Sequence, residues 1–342
     1  MDFCNVKQFK YVMKKTILIT ISIMLLVAMT ISKATAQQET FKPGGKPVVT
    51  LFTNYGFTKT GESSIASFNL ERAYIGFQYD FSEVFSAKVV FDVGDPGIGQ
   101  FDYAAYAKNA YLQYSPGNLT LAFGMIGTTY FSRQEKLFPY RYIVKSFQDE
   151  YKISPSADLG FTASYAFGDF AIVDFMAVNG EGYKNVQADS TFRYVAGINL
   201  EPVKGLFLRG SFDIMPGTDA QKTATFFGTY SLGPATLGFE YTSRMNQDMD
   251  KGRNIGGYSF TASANVFKKV TLFGRYDKLG SDVMTGDSDP WNLGNDGSFL
   301  MLGFDYTPLK GVRIAPNYQG WFPEDESMYN VSSLLINVEI KF

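Results

Sequence analysis

The chain has 342 residues, 45% hydrophobic and 16% aromatic, with 22 Tyr and 32 Phe but 2 Trp, one Cys, no His and a net charge of −2. Without His there is no Ser-His-Asp or Cys-His nucleophile pair, no imidazole metal ligand and no imidazole proton shuttle. With Cys4 as the sole thiol there is no disulfide framework or cysteine metal site, and 31 Lys+Arg against 33 Asp+Glu give no basic footprint for nucleic acid.

The first predicted element is a leader. Lys14 and Lys15 precede an apolar run at 16–31, and Ala34-Thr35-Ala36 follows it. A basic start, a short apolar stretch and a small-residue cleavage site predict a removable signal peptide over 1–36, with Met13 as an alternative start. The run is shorter than the ~20 residues of a spanning helix, so a membrane anchor ranks second. Once cleaved, residues 37–342 would carry 26 basic and 32 acidic side chains, net −6.

Beyond the leader the chain alternates with period two, the signature of strands with two unlike faces. Ala87, Val89, Phe91 and Val93 alternate with Lys88 and Asp92, and Leu206, Leu208 and Phe212 with Arg209, Ser211 and Asp213. Sixteen strands are predicted. Eight lie at 47–58, 68–81, 84–93, 106–114, 118–128, 157–167, 169–178 and 191–200. The other eight lie at 206–214, 222–232, 235–243, 253–267, 269–278, 298–306, 311–319 and 331–342. Each is about ten residues, the length at which a tilted strand crosses a bilayer.

Short turns at 80–83, 115–118, 168–169, 201–205, 233–234, 268–269 and 307–311 alternate with longer polar loops, the longest near 129–156. This predicts a transmembrane antiparallel β-barrel over 37–342, with short periplasmic turns and longer extracellular loops. A soluble sandwich would also alternate, but its apolar face would close on a core. Tyr79, Phe81, Phe85, Tyr114, Phe167, Phe170, Phe207, Tyr230, Phe267, Tyr306 and Phe342 lie near short turns, as an interfacial aromatic girdle would.

Leader, sixteen strands, a long third external loop and a terminal Phe342 together resemble the Gram-negative general porins. More narrowly, 68–91 (FNLERAYIGFQYDFSEVFSAKVVF) is similar to the phosphate-selective porin O/P type. There Arg72-Ala73-Tyr74-Ile75-Gly76 leads through a short turn into a second alternating strand. The resemblance implies a homotrimer in the outer membrane, in contact with its lipid. It implies passive diffusion of small hydrophilic solutes or inorganic ions, anions such as phosphate among them. It also implies a third loop folded into the lumen, and a terminal Phe342 read by the barrel-assembly machinery.

That loop carries Arg133, Lys136, Arg141, Lys145 and Lys152 against Glu135, Asp149 and Glu150. A surplus of positive charge at a constriction attracts anions. Eight basic wall residues are expected to face inward: Arg72, Lys88, Arg193, Arg209, Arg244, Arg275, Arg313 and Lys341. Eight acidic ones stand against them: Asp80, Asp92, Asp174, Asp213, Glu240, Asp277, Asp305 and Glu339. This balance departs from the strongly basic path implied for phosphate selectivity, and the inward arginines equally suit bracing of the wall by Arg–Asp pairs. The candidate pore residues are the five loop cations together with Arg72, Arg193, Arg209, Arg275 and Arg313.

The outer loops are acidic, at Asp248 and Asp250, at Asp282, Asp287, Asp289 and Asp296, and at Glu324, Asp325 and Glu326. The 282–296 stretch offers oxygens for Ca²⁺ but lacks the EF-hand register and its closing Glu, which favours a solvated loop. The 94–99 glycine run has no following helix to make a nucleotide site. No cofactor motif is present, and no nucleophile stands with a general base, so an enzyme is not expected. The alternative to a channel is a structural or adhesive barrel that displays its loops.

Overall fold

The computed structural model describes residues 41–94 and 103–342. The predicted leader, Cys4 and most of the 94–99 run lie outside the described residues. Among the described residues there are sixteen strands. The first eight are β1 (Gly44–Thr60), β2 (Ser63–Asp80), β3 (Phe85–Gly94), β4 (Ala104–Tyr114), β5 (Leu119–Gly127), β6 (Ala157–Phe167), β7 (Ala171–Val178) and β8 (Arg193–Val203). The rest are β9 (Leu206–Met215), β10 (Gln221–Leu232), β11 (Ala235–Met245), β12 (Ile255–Phe267), β13 (Val270–Ser281), β14 (Gly297–Leu309), β15 (Val312–Pro323) and β16 (Val331–Lys341). Each predicted segment falls on one of them.

Neighbours in sequence pair antiparallel, and β1 pairs with β16 to close the barrel. The backbone of Phe342 extends that seam, exchanging two 3.2 Å hydrogen bonds with Val49. Closure satisfies strand backbone groups internally and removes the sheet edge, the condition for crossing lipid with strands. Alternation then separates two environments. Phe123 (70% exposed), Leu302 and Leu334 point outward, whereas Thr242 (0%), Asp277 and Thr223 point inward and are buried. An apolar belt exposed on strand after strand is stable where lipid, not water, surrounds it.

At one end of the barrel the connections are two to four residues long, from 81–84 to 310–311. At the other they are mostly longer: 29 residues at 128–156, 14 at 179–192, nine at 246–254 and 15 at 282–296.

Two expectations are corrected. The first external connection is a tight turn at Gly61 and Glu62, and β2 begins at Ser63 rather than 68. Gly61 takes φ +57°, which a glycine adopts freely. The small and polar 63–67 segment shows little alternation, yet it pairs through its backbone with 56–60. Phe207 is 4% exposed and faces inward, so it does not belong to the aromatic girdle. It shares the parity of Arg209 and Asp213 on β9, and its ring lies 6.0 Å from that of Phe227.

Candidate functional site: the barrel lumen

The 128–156 connection folds back inside the barrel. It contains two single helical turns, Gln134–Leu137 and Phe147–Glu150. Three apolar footholds fix it. Tyr130 and Phe131 pack with Ile126, Met176, Val178 and Val195. Tyr140 and Tyr142 pack with Phe52, Phe273, Met301 and Ala315. Phe147 (0% exposed) and Ile153 pack with Ile255 and Leu279. Of these wall residues Phe52, Phe273, Leu279 and Ala315 are apolar at positions whose neighbours two away are polar. That parity defect is the signal by which sequence reasoning would have found the loop's path.

Between the footholds the wall reaches the loop's backbone and amides. Arg209 Nε donates to the Tyr130 carbonyl at 3.0 Å, and Asn337 Nδ2 to the Tyr142 carbonyl at 3.3 Å. Arg313 and Arg275 donate to the carbonyls of Pro139 and Lys145. Glu240, buried on β11, accepts from Gln134 and from Gln148, the latter at 2.9 Å. Tyr151 donates to Asp277 Oδ2 at 3.0 Å. An isolated polar group buried without a partner costs about 1–3 kcal/mol, so each pairing favours the docked loop over a loop drawn into solvent.

The predicted arginines separate into groups by partner. Arg209 makes a two-pronged pair with Asp174, at 2.7 and 3.1 Å. It reaches across β8 above Gly197, where a Cβ would stand 2.6 Å from Arg209 Nη2 and 2.9 Å from Asp174 Oδ1. Arg275 pairs with Asp277 at 2.6 Å. Arg313 pairs with Asp305 and Glu339 and lies 4.5 Å from the centre of the Tyr142 ring. Arg72 lies 3.3 Å from Asp92 and donates to the Tyr106 hydroxyl at 2.7 Å. Arg193 has no carboxylate within ion-pair distance among the described residues.

In the loop, Arg141 is held by Glu135 and, at 2.7 Å, by Asp149. Arg133 pairs with Glu201 at the short-turn end. Lys136 and Lys152 are exposed, and Lys145 is half-buried.

A cavity of about 670 Å³ runs between the inner loop and the wall. Seven basic and four acidic side chains line it, with Arg72, Arg141, Lys145, Lys152 and Arg193 among the predicted set. Arg209, Arg275 and Arg313 do not line it; their guanidiniums are spent on carboxylates and loop carbonyls. Among the described residues no cluster of three or more acidic, His or Cys side chains is placed to hold a metal ion. In the 282–296 loop, Asp296 accepts from the Ser281 amide at 3.0 Å and Asp282 from Asn254 at 2.8 Å.

No family model matches the chain, and no curated protein matches its sequence. Solved structures do match in shape. OprB of Pseudomonas putida, in its high-pH structure, has a TM-score of 0.66 at 9% identity, covering 87% of this chain and 94% of its own. The anion-selective porin of Comamonas acidovorans gives 0.62 at 10% identity over 88% and 100%. In-vitro folded OmpT of Vibrio cholerae, in its trimer form, gives 0.62 at 14% identity over 88% and 100%. At these identities the likeness establishes the fold: a closed sixteen-stranded barrel of the kind found in outer-membrane porins.

Proposed function

We propose that this chain is an outer-membrane porin through which small hydrophilic solutes and inorganic ions diffuse passively, with a lumen that favours anions. The observation that carries the reading is the open cavity between inner loop and wall, whose lining has a surplus of three positive charges. Such a surplus between low-dielectric walls raises the local concentration of anions.

In this reading the inner loop is the constriction. Lys145, Lys152, Arg72 and Arg193 meet the solute, while Arg209, Arg275 and Arg313 hold the loop. Phosphate falls within the anion class without being singled out, since the wall lacks a continuous basic path. A homotrimer is the proposed assembly, in line with the trimer form of the Vibrio cholerae neighbour. Residues 1–36 serve export, Phe342 serves recognition by the barrel-assembly machinery, and the outer belt meets lipid.

The test is single-channel recording of the refolded protein in a planar bilayer under a KCl gradient. Discrete steps with a reversal potential on the anion side are expected. A cation-side potential would keep the pore and overturn the anion preference. No steps from a folded barrel would leave a barrel that displays its loops.

A further inference from the structure

Among the described residues two buried guanidiniums in the lumen have no carboxylate within ion-pair distance. Arg193, at the start of β8, is 5% exposed and Arg244, on β11, is 2% exposed. They lie on neighbouring rows of the β8–β11 wall. Thr223 stands opposite both Arg244 and Asp213, and Gln221 opposite Met215. Both arginines line the cavity.

Their donor accounts do not close. Arg244 Nε donates to Thr223 Oγ1 at 2.9 Å and Nη1 to Gln247 Oε1 at 3.2 Å, but Nη2 has no partner. Among the described residues Arg193 Nη2 meets the Met215 sulfur at 3.2 Å, a weak acceptor, the guanidinium faces the Tyr130 hydroxyl, and Nε and Nη1 complete no hydrogen bond. Tyr130 turns its hydroxyl toward Arg193 without completing a hydrogen bond, and Asp213 Oδ1 has no hydrogen-bond partner among the described residues. Asp213 faces both guanidiniums from beyond ion-pair distance. The other nearby carboxylates are committed elsewhere. Asp158 accepts from the backbone amides of Leu159, Gly180 and Gly182, and Asp248 is paired with Arg253 at 3.2 Å.

Every other wall arginine of the predicted set is answered by a carboxylate. A buried guanidinium with free N–H groups is among the most costly features a protein can hold unless something supplies the acceptor. Two such groups at one edge of a water-accessible cavity, with one Asp between them, make a cradle of net charge +1. A planar oxyanion accepts from guanidinium forks in pairs. We propose that Arg193 and Arg244 form an oxyanion station on the diffusion path, matched to a singly charged carboxylate. The proposal rests on the channel reading only for its place on a path; the station itself is a binding site.

The experiment therefore has a binding arm and a conduction arm. In detergent, the thermal unfolding midpoint of the wild-type barrel is followed against sodium acetate, with sodium chloride at equal ionic strength as reference. In a planar bilayer, single-channel conductance is followed against potassium acetate concentration. A saturable acetate-specific rise of the midpoint and a conductance that levels off are expected. Arg193→Gln with Arg244→Gln should weaken the half-saturating concentration about tenfold or more, the effect of losing charge-assisted bonds. Lys310→Gln, at a short turn remote from the cavity, should leave it unchanged. Sodium sulfate should compete less well than acetate at equal ionic strength.

If the double variant fails to fold, the wild-type curves decide alone. A midpoint that tracks chloride and acetate equally, with linear conductance, overturns the station. Saturable stabilisation without any conductance keeps the station and overturns the channel.

Discussion

A guanidinium removed from water must find its acceptors in the protein, and the lumen meets that demand chiefly with aspartates one or two strands away. Arg209 and Asp174 are both nearly fully buried, so removing one partner strands the other charge. Arg209→Met should cost about 3–5 kcal/mol, whereas Arg209→Met with Asp174→Leu should cost much less than the two single changes combined. Denaturant unfolding of the four proteins in detergent measures the difference. Gly197→Leu should be as damaging as Arg209→Met, because its side chain would occupy the space of the guanidinium. The buried tyrosines of the inner loop give a second prediction. Burial pushes the Tyr140 phenol up to about 12, and burial raises Tyr130, Tyr142 and Tyr151 as well. An unfolded phenol titrates near 10. The folded state therefore holds protons that the unfolded state has lost, and stability falls as pH rises above about 10. For Tyr140 that loss runs until pH passes its folded value. Phenolate absorbance should show a late-titrating class in the folded barrel, and that class should merge with the rest in denaturant.

The inner loop is where local structure becomes pore geometry. Its single helical turns are far too short to be stable alone, so its shape comes from the wall. Phe147 fills space above Gly257, where a Cβ would lie 2.9 Å from its ring, and joins Ile153, Ile255 and Leu279. Phe147→Ala should cost about 3–5 kcal/mol of docking and loosen the loop's second half. Flickering single-channel conductance is the expected readout, and steady wild-type steps would show that the polar anchors suffice. Deleting 133–145 should raise the conductance, and an unchanged value would remove the loop from the constriction. The strands were legible because alternation repeats the same contrast on each of them, as two unlike environments on the two faces of a sheet require. The resemblance implied that the loop enters the lumen, but the wall positions on which it docks were not legible. Its polar anchors on Arg209, Arg275 and Arg313 are backbone carbonyls, which carry no side-chain signature. Its apolar anchors Phe52, Phe273 and Leu279 read as breaks in an otherwise polar face. The same limit applies to the arginines. Sequence places Arg193 and Arg209 on the inner face alike, but only the register puts Asp174 under one and a sulfur under the other.

Across the whole molecule two charged regions compete for an approaching anion. The cavity is basic, but the outer loops carry exposed acidic residues, Asp287 and Asp289 on one and Glu326 on another. Exposed charges act over the Debye length, about 30 Å at 0.01 M salt and about 3 Å at 1 M. At low salt the acidic rim therefore covers the mouth and lowers the local anion concentration before the lumen is reached. At high salt its field collapses, while charges inside a narrow, low-dielectric wall are screened less. Asp287→Asn with Asp289→Asn should therefore shift the reversal potential further to the anion side at 0.01 M and leave it unchanged at 1 M. Both substitutions sit on a loop outside the barrel, so the folded wall and the inner loop provide the same path in variant and wild type. A shift of equal size at both salt concentrations would mean that these carboxylates act at short range inside the path. The rim would then be part of the constriction rather than a screened field in front of it.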